Sequence, residues 1–60
     1  MDIDKIIRYE NGDMSEAEIV DFFQELVDSG AAWQLQGAYG RMAAHLIELG
    51  LVNPEKHNED

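Results

Sequence analysis

Few side chains in this sequence belong to types that could carry out chemistry. His45 and Glu48 are three residues apart, a spacing at which two side chains of one helix could bind the same metal ion. Such a site needs further carboxylate or histidine ligands from facing helices, and the other histidine, His57, lies in the polar end of the chain. Because the chain also has no cysteine, the sequence predicts no metal site.

Other patterns that could bind a ligand or support catalysis are equally weak. Asn11-Gly12-Asp13 is similar to part of a calcium loop, but the first and third ligand positions would then be Ile7 and Tyr9, which have no suitable oxygen. Ser15 has the position of a helix cap, and no pairing of a nucleophile with a base can be argued. No glycine-rich phosphate loop is present. We therefore expect a protein that is not an enzyme and has no cofactor.

Acidic residues dominate the charge of the chain. Thirteen acidic residues face four basic ones, and the formal net charge is −9. This balance opposes direct contact with nucleic acid or an anionic membrane, and it permits a basic protein partner. Four of the acids have the spacing of one stripe along a predicted helix: Glu18, Asp21, Glu25 and Asp28. No lysine or arginine lies between Tyr9 and Arg41, so the stripe is either a protein-binding surface or a face that only keeps the protein soluble.

A segment rich in interface-type residues follows the acidic stripe. Trp, Tyr and Arg are the residues that most often anchor protein interfaces, and the candidate contact residues here are Trp33, Gln36, Tyr39 and Arg41. Two other interpretations stay open: Trp33 and Tyr39 belong to the core, or they pack in a self-association interface. Gln36 would need hydrogen-bond partners if it were buried. Arg41 could pair with Glu48 or with the acids of the stripe.

Three segments have the apolar periodicity of α-helices. They run from Ile3 to about Glu10, from Ser15 to Gly30, and from Trp33 to Gly50. The second has the clearest start, a capping box in which Ser15 is the N-cap and Glu18 follows three residues later. Each helix is predicted to end at a glycine that can adopt a left-handed conformation: Gly12, Gly30 and Gly50.

The apolar residues of the first and third helices predict which of their faces are buried. In the first, Ile3, Ile6 and Ile7 should form the buried face. In the third, apolar residues cover an arc of about 240°, far wider than the stripe of an ordinary surface helix. Two short neighbouring helices cannot cover such an arc, so a second copy of the chain, or another protein, should complete it.

The length of the chain points in the same direction. Sixty residues form one domain that buries only about 60% of its unfolded surface, so its stability is marginal without a disulfide, a metal or a partner subunit. We predict an all-α, compact three-helix domain over residues 1–52, completed by homo-oligomerisation, most simply a homodimer. The polar tail over residues 53–60 should be disordered. We expect no signal peptide and no membrane span.

Three segments of the sequence resemble very small proteins encoded by tailed bacteriophages. The matching segments are residues 6–12, 23–30 and 32–41, and the last is the most specific. The resemblance covers roughly residues 2–52 and implies an accessory phage protein that acts in the cytoplasm of an infected bacterium. It carries over no functional residue.

These observations lead to one functional hypothesis and two alternatives. The expected function is that of a small acidic, non-enzymatic protein that binds and modulates a host or phage protein, with counter-defence as one such role. A structural or assembly protein whose self-association is its function stays open. So does a small-molecule binder at an oligomer interface that uses Gln36, Tyr39 and Arg41.

Overall fold

The computed structural model describes residues 3–54, which form three α-helices and a short 3₁₀ helix. Within that range there is no strand, so the all-α, three-helix prediction is confirmed. The elements are α1 (Ile3–Glu10), α2 (Glu16–Ser29), the 3₁₀ helix (Ala31–Trp33) and α3 (Gly37–Glu48). The bounds of α1 are those that the sequence predicted.

The local signals at the helix ends are confirmed. The Ser15 hydroxyl accepts the backbone N–H of Glu18 at 3.2 Å, and the Glu18 carboxylate accepts the N–H of Ser15 at 3.0 Å. This reciprocal capping box satisfies two backbone donors that the helix leaves open. All three predicted glycines are left-handed, with φ values of 76°, 82° and 79° at Gly12, Gly30 and Gly50.

The two longer helices end differently. α3 ends in a Schellman motif, in which the N–H of Leu51 donates to the carbonyl of Leu46 at 3.0 Å. At the end of α2 the Ser29 hydroxyl takes the place of the corresponding direct bond. It donates to the carbonyl of Leu26 and accepts the N–H of Ala31, both at 3.3 Å.

The core lies between α2, the 3₁₀ helix and α3. Its buried residues are Phe22, Phe23, Leu26, Val27, Ala32, Tyr39, Ala43, Leu46 and Val52. Tyr9 of α1 adds a partly buried ring, whose centroid lies 5.5 Å from that of Phe22, 5.2 Å from that of Phe23 and 5.7 Å from that of Tyr39. Rings at these separations attract one another beyond the area they bury. This aromatic cluster therefore joins all three α-helices.

The third helix begins later than predicted, at Gly37 instead of Trp33. The backbone of Gln36 is extended, with ψ of 151°, and the N–H groups of Gln34 and Leu35 both donate to the carbonyl of Ala31 at 3.0 Å. The chain uses this segment to reverse direction after Gly30, because the start of α2 packs beside the end of α3. Trp33 and Leu35 are thus not on α3, and the arc of about 240° does not exist on one helix.

The predicted buried face of α1 is wrong in two of its three residues. Ile3 is 68% exposed and Ile7 is more than half exposed, whereas Ile6 packs against the core. Contacts with α2 and the aromatic cluster, which the periodicity of α1 does not reveal, determine which side of α1 faces the core. Lys5 forms an ion pair with Glu25, and the Tyr9 ring joins the aromatic cluster on the same side.

The described chain makes ordered contacts up to Asn53, one residue beyond the predicted edge of the domain. Val52 is buried. The side-chain amide of Gln24 accepts the N–H of Asn53 at 2.8 Å and donates to its carbonyl at 3.2 Å. The prediction of a disordered tail falls, for residues 55–60, outside the described residues.

Candidate protein-binding surfaces

The four acids of the predicted stripe are all exposed on α2, but α1 lies along them. The ammonium group of Lys5 is 2.8 Å from the Glu25 carboxylate, and the guanidinium group of Arg8 is 2.8 Å from that of Glu18. The order of these pairs shows that α1 runs antiparallel to α2. Half of the stripe is therefore neutralised within the chain. Lys5 and Arg8 precede the acid-rich segment in the sequence, so the order of residues alone does not show that they pair with its acids.

The other two acids of the stripe differ from each other. Asp28 accepts a hydrogen bond from the Gln24 side chain at 3.0 Å. The Asp21 side chain makes no hydrogen bond or ion pair with any residue between 3 and 54. Asp21 therefore presents the most available carboxylate of the stripe.

The capping box and the α1 contact together act on Glu18. The backbone N–H of Ser15 and then the hydrogen bond from Arg8 lower the pKa of Glu18 below its usual value of 4.5. The same hydrogen bond raises the pKa of Arg8. A carboxylate whose pKa is lowered by folding contributes stability above its unfolded pKa, and this contribution is lost as the pH falls through the folded pKa.

Replacing Arg8 with glutamine should raise the pKa of Glu18 without restoring it fully to 4.5. The Ser15 N–H still donates to the carboxylate in this variant, while the guanidinium bond is gone. The pKa is measured by NMR titration of the Glu18 carboxyl carbon. Lys5→Gln is the matched control, because Lys5 pairs with Glu25 and should leave the Glu18 titration unchanged. An identical Glu18 pKa in wild type and Arg8→Gln would contradict the assigned pair.

Trp33, Gln36 and Arg41 lie on the surface, as required of contact residues. The Trp33 side chain is 49% exposed, and its indole ring lies over Gly40. A Cβ atom at Gly40 would be 3.7 Å from Cε3 of Trp33. A Cβ atom at Gly37 would be 3.1 Å from Nη1 of Arg41. The indole and guanidinium groups thus each rest on a glycine of α3, and we call the surface formed by Trp33, Gln36 and Arg41 the Trp33 surface.

Tyr39 is not part of the Trp33 surface, because it is buried in the core. Its hydroxyl donates a hydrogen bond of 2.5 Å to the Glu10 carboxylate. Burial, followed by this hydrogen bond, raises the pKa of Tyr39 to about 12. The core interpretation of Tyr39 therefore holds, and the small-molecule hypothesis loses one of the three side chains on which it depends.

The side chains of Gln36 and Arg41 do not form the contacts that the sequence left open. Gln36 is exposed, so its amide can be hydrated and needs no partner from another chain. Among residues 3–54, no carboxylate lies within ion-pair distance of Arg41. The pairs considered for Arg41, with Glu48 or with the acids of α2, are not formed. Arg41 is thus free to meet a carboxylate or carbonyl of a partner.

A second exposed surface was not predicted. It is a cleft of about 380 Å³ between the start of α2 and the end of α3. Its lining residues are Glu16, Ile19, Val20, Met42, His45, Leu46, Leu49 and Leu51. We call it the Leu49 cleft. Leu49 and Leu51, which follow α3, are the signal for it in the sequence, but a helix predicted to run to Gly50 counts Leu49 within the wide apolar arc.

No group of three or more His, Cys, Asp or Glu side chains among residues 3–54 is arranged to hold a metal ion. Over the same range, each helix is too short and too polar to cross a bilayer.

Comparison with known proteins assigns a family without an activity. The family model described as "Domain of unknown function (DUF7417)" matches residues 2–59. No curated protein and no solved structure matches the chain. The resemblance to small phage proteins stays a prediction.

Proposed function

Since the chain belongs to this family, whose description names no activity, we propose from its own surfaces that it is a small acidic, non-enzymatic protein that binds and modulates another protein. The partner is a host or phage protein, and the place of action is the cytoplasm of an infected bacterium. Interference with a host defence is one role consistent with such binding.

The exposed Trp33 side chain is the observation that carries this proposal. A tryptophan that is 49% exposed leaves apolar area in water that a partner can cover. Its position is already fixed, because the backbone N–H of Trp33 donates to the carbonyl of Gly30 at 3.2 Å and the ring lies over Gly40. An anchor that is ordered before binding loses little conformational entropy on binding.

The charge of the protein defines the chemistry of the partner. A net charge of −9 accelerates encounter with a basic protein and selects against acidic ones. Asp21 and Asp28 supply the contacts that the internal ion pairs leave available. Asp28 is in the last turn of α2, close along the chain to Trp33. The partner should therefore combine an apolar pocket for the indole with basic residues around it.

Replacing Trp33 with alanine should weaken partner binding at least about 30-fold, because buried tryptophans are the strongest interface anchors. Tagged wild-type protein is used to capture the partner from infected cells, and the dissociation constant of the purified pair is then measured by calorimetry. Ile3→Ala is the matched control, because it removes an exposed apolar side chain from α1. A partner that binds both variants as tightly as wild type would overturn the assignment of the Trp33 surface.

The acidic part of the surface needs its own variant. Reversing Glu25 would also break its ion pair with Lys5, so the change in binding could not be assigned. Asp21→Lys reverses a charge that has no partner among residues 3–54. If the acids contact the partner, the fold decrease in the association rate constant of this variant should exceed the fold increase in its dissociation rate constant. The decrease in the association rate constant should become smaller with added salt.

A further inference from the structure

We infer that the Leu49 cleft binds the same cleft of a second copy of this chain, so that the protein is a two-fold symmetric dimer. This inference is independent of the proposed function, because the Leu49 cleft and the Trp33 surface have no residue in common. It also differs from the sequence-based argument for a dimer, which relied on a helix that does not begin where the periodicity predicted.

The first support is the apolar character of the cleft. Six of its eight lining residues are apolar. Leu49 and Leu51, two of these residues, are 58% and 53% exposed. A chain of this size has few large apolar residues, so it can leave few of them outside the core. Contiguous exposed apolar surface on a soluble protein marks an interaction site more often than scattered single residues do.

The second support is that the cleft provides both halves of a symmetric contact. A two-fold interface uses one patch twice, so the patch must contain projecting groups and the recess that receives them. Leu49 and Leu51 line the cleft and are more than half exposed. Ile19, Val20 and Met42 are half-buried and line the recess. In the inferred dimer, the exposed leucines of each copy pack against the half-buried residues of the other.

The third support is electrostatic. Two chains of net charge −9 repel each other, so they can approach only where the acids are sparse. At about 100° per residue, the acidic stripe is on the side of α2 opposite Glu16, Ile19 and Val20. Among residues 3–54, Glu16 is the only carboxylate that lines the cleft. This face is thus one on which a like-charged copy meets little repulsion.

The polar groups of the cleft favour a second copy over an unrelated basic segment. Glu16 offers an acceptor and His45 offers an imidazole N–H donor. Neither side chain makes a hydrogen bond or ion pair with another residue in the described range. A two-fold axis that places His45 of one copy beside Glu16 of the other satisfies both groups twice. A basic segment matches Glu16 but brings no carboxylate of its own for the N–H of His45.

Sedimentation equilibrium of the untagged full chain tests the inference. Wild type should be a dimer at micromolar concentration, and Leu49→Glu should raise the dimer dissociation constant about 100-fold, because the change occurs twice in the symmetric interface. Ile3→Glu adds the same charge at an exposed apolar position on α1 and should leave the dimer unchanged. Leu49→Ala adds no charge and replaces Leu49→Glu in the test if the latter fails to fold. It should weaken the dimer about tenfold.

A double-mutant cycle tests the polar contact. His45→Ala and Glu16→Ala should each weaken the dimer, and the double variant should be weakened by less than the product of the two effects. This coupling between His45 and Glu16 arises between two copies, because the two side chains make no hydrogen bond or ion pair with each other within one copy. A wild-type chain that is monomeric at 100 micromolar (about the upper limit of a useful dimer affinity), or a dimer that Leu49→Glu and Ile3→Glu affect equally, would overturn the inference.

Discussion

Replacing Phe23 with alanine should remove a large part of the protein's free energy of unfolding. Phe23 is fully buried, and its ring centroid lies 5.2 Å from that of Tyr9, 5.4 Å from that of Phe22 and 6.1 Å from that of Tyr39. Truncation of a buried phenylalanine costs about 3–5 kcal/mol. The whole free energy of unfolding of a 60-residue domain is about 3–9 kcal/mol. The loss is therefore comparable with the total.

Urea unfolding followed by circular dichroism measures this effect. The matched control is Ile3→Ala, which truncates an aliphatic side chain that is largely exposed and should change the free energy of unfolding by less than about 0.5 kcal/mol. If Phe23→Ala and Ile3→Ala had the same unfolding midpoint, the position of the aromatic cluster at the centre of the fold would be wrong.

The second large effect is a loss of stability between pH 10 and pH 12 that depends on Tyr39. Folding raises the pKa of Tyr39 to about 12, first through burial and then through the Glu10 carboxylate. Between the unfolded and folded pKa values the unfolded chain binds fewer protons, so the free energy of unfolding falls as the pH rises. The stability that the neutral hydroxyl contributes is complete below pH 10 and is lost as the pH passes through 12. A shift of two units sets a ceiling of about 2.7 kcal/mol, and hydration of the exposed Glu10 carboxylate reduces this to about 1–2 kcal/mol.

Tyr39→Phe isolates this contribution from other alkaline effects. The variant should be less stable than wild type at pH 8 by about 0.5–1.5 kcal/mol, the usual value of a lost hydrogen bond. Between pH 8 and pH 11.5 it should lose less stability than wild type, because it has no phenol at this position to ionise. Urea unfolding at the two pH values gives both quantities. Equal losses in the two proteins would show that Tyr39 is not coupled to folding.

Local signals in the sequence predicted the helix ends well. The Ser15–Glu18 capping box and the three left-handed glycines depend on residues that are near each other in the chain, so tertiary contacts do not alter them. The start of α3 was harder to predict, because Leu35 and Tyr39 on either side of Gln36 have the spacing of residues on one face of a helix. A helical wheel records only side-chain direction, and it cannot detect that the backbone of Gln36 is extended.

Contacts between helices explain what the sequence could not provide. The hydrophobic pattern of α1 favours Ile3 and Ile7 as buried residues, but α1 is oriented by the Lys5–Glu25 pair and the ring of Tyr9. The partners of these groups are more than ten residues away, so no local periodicity identifies them. The same contacts neutralise part of the acidic stripe. Trp33 could be named as a candidate contact residue from its type alone, since tryptophan is enriched at interfaces, but its exposure became apparent only from the structure.

Quenching of Trp33 fluorescence by acrylamide tests the central claim most directly. Trp33 is the single tryptophan of the chain, so its signal needs no deconvolution. The rate constant for quenching of the free protein should be about half that of the urea-unfolded chain, in keeping with the exposed fraction of the side chain, and saturation with the partner should suppress quenching strongly. If Trp33 were as accessible in the saturated complex as in the free protein, the Trp33 surface would not be where the partner binds.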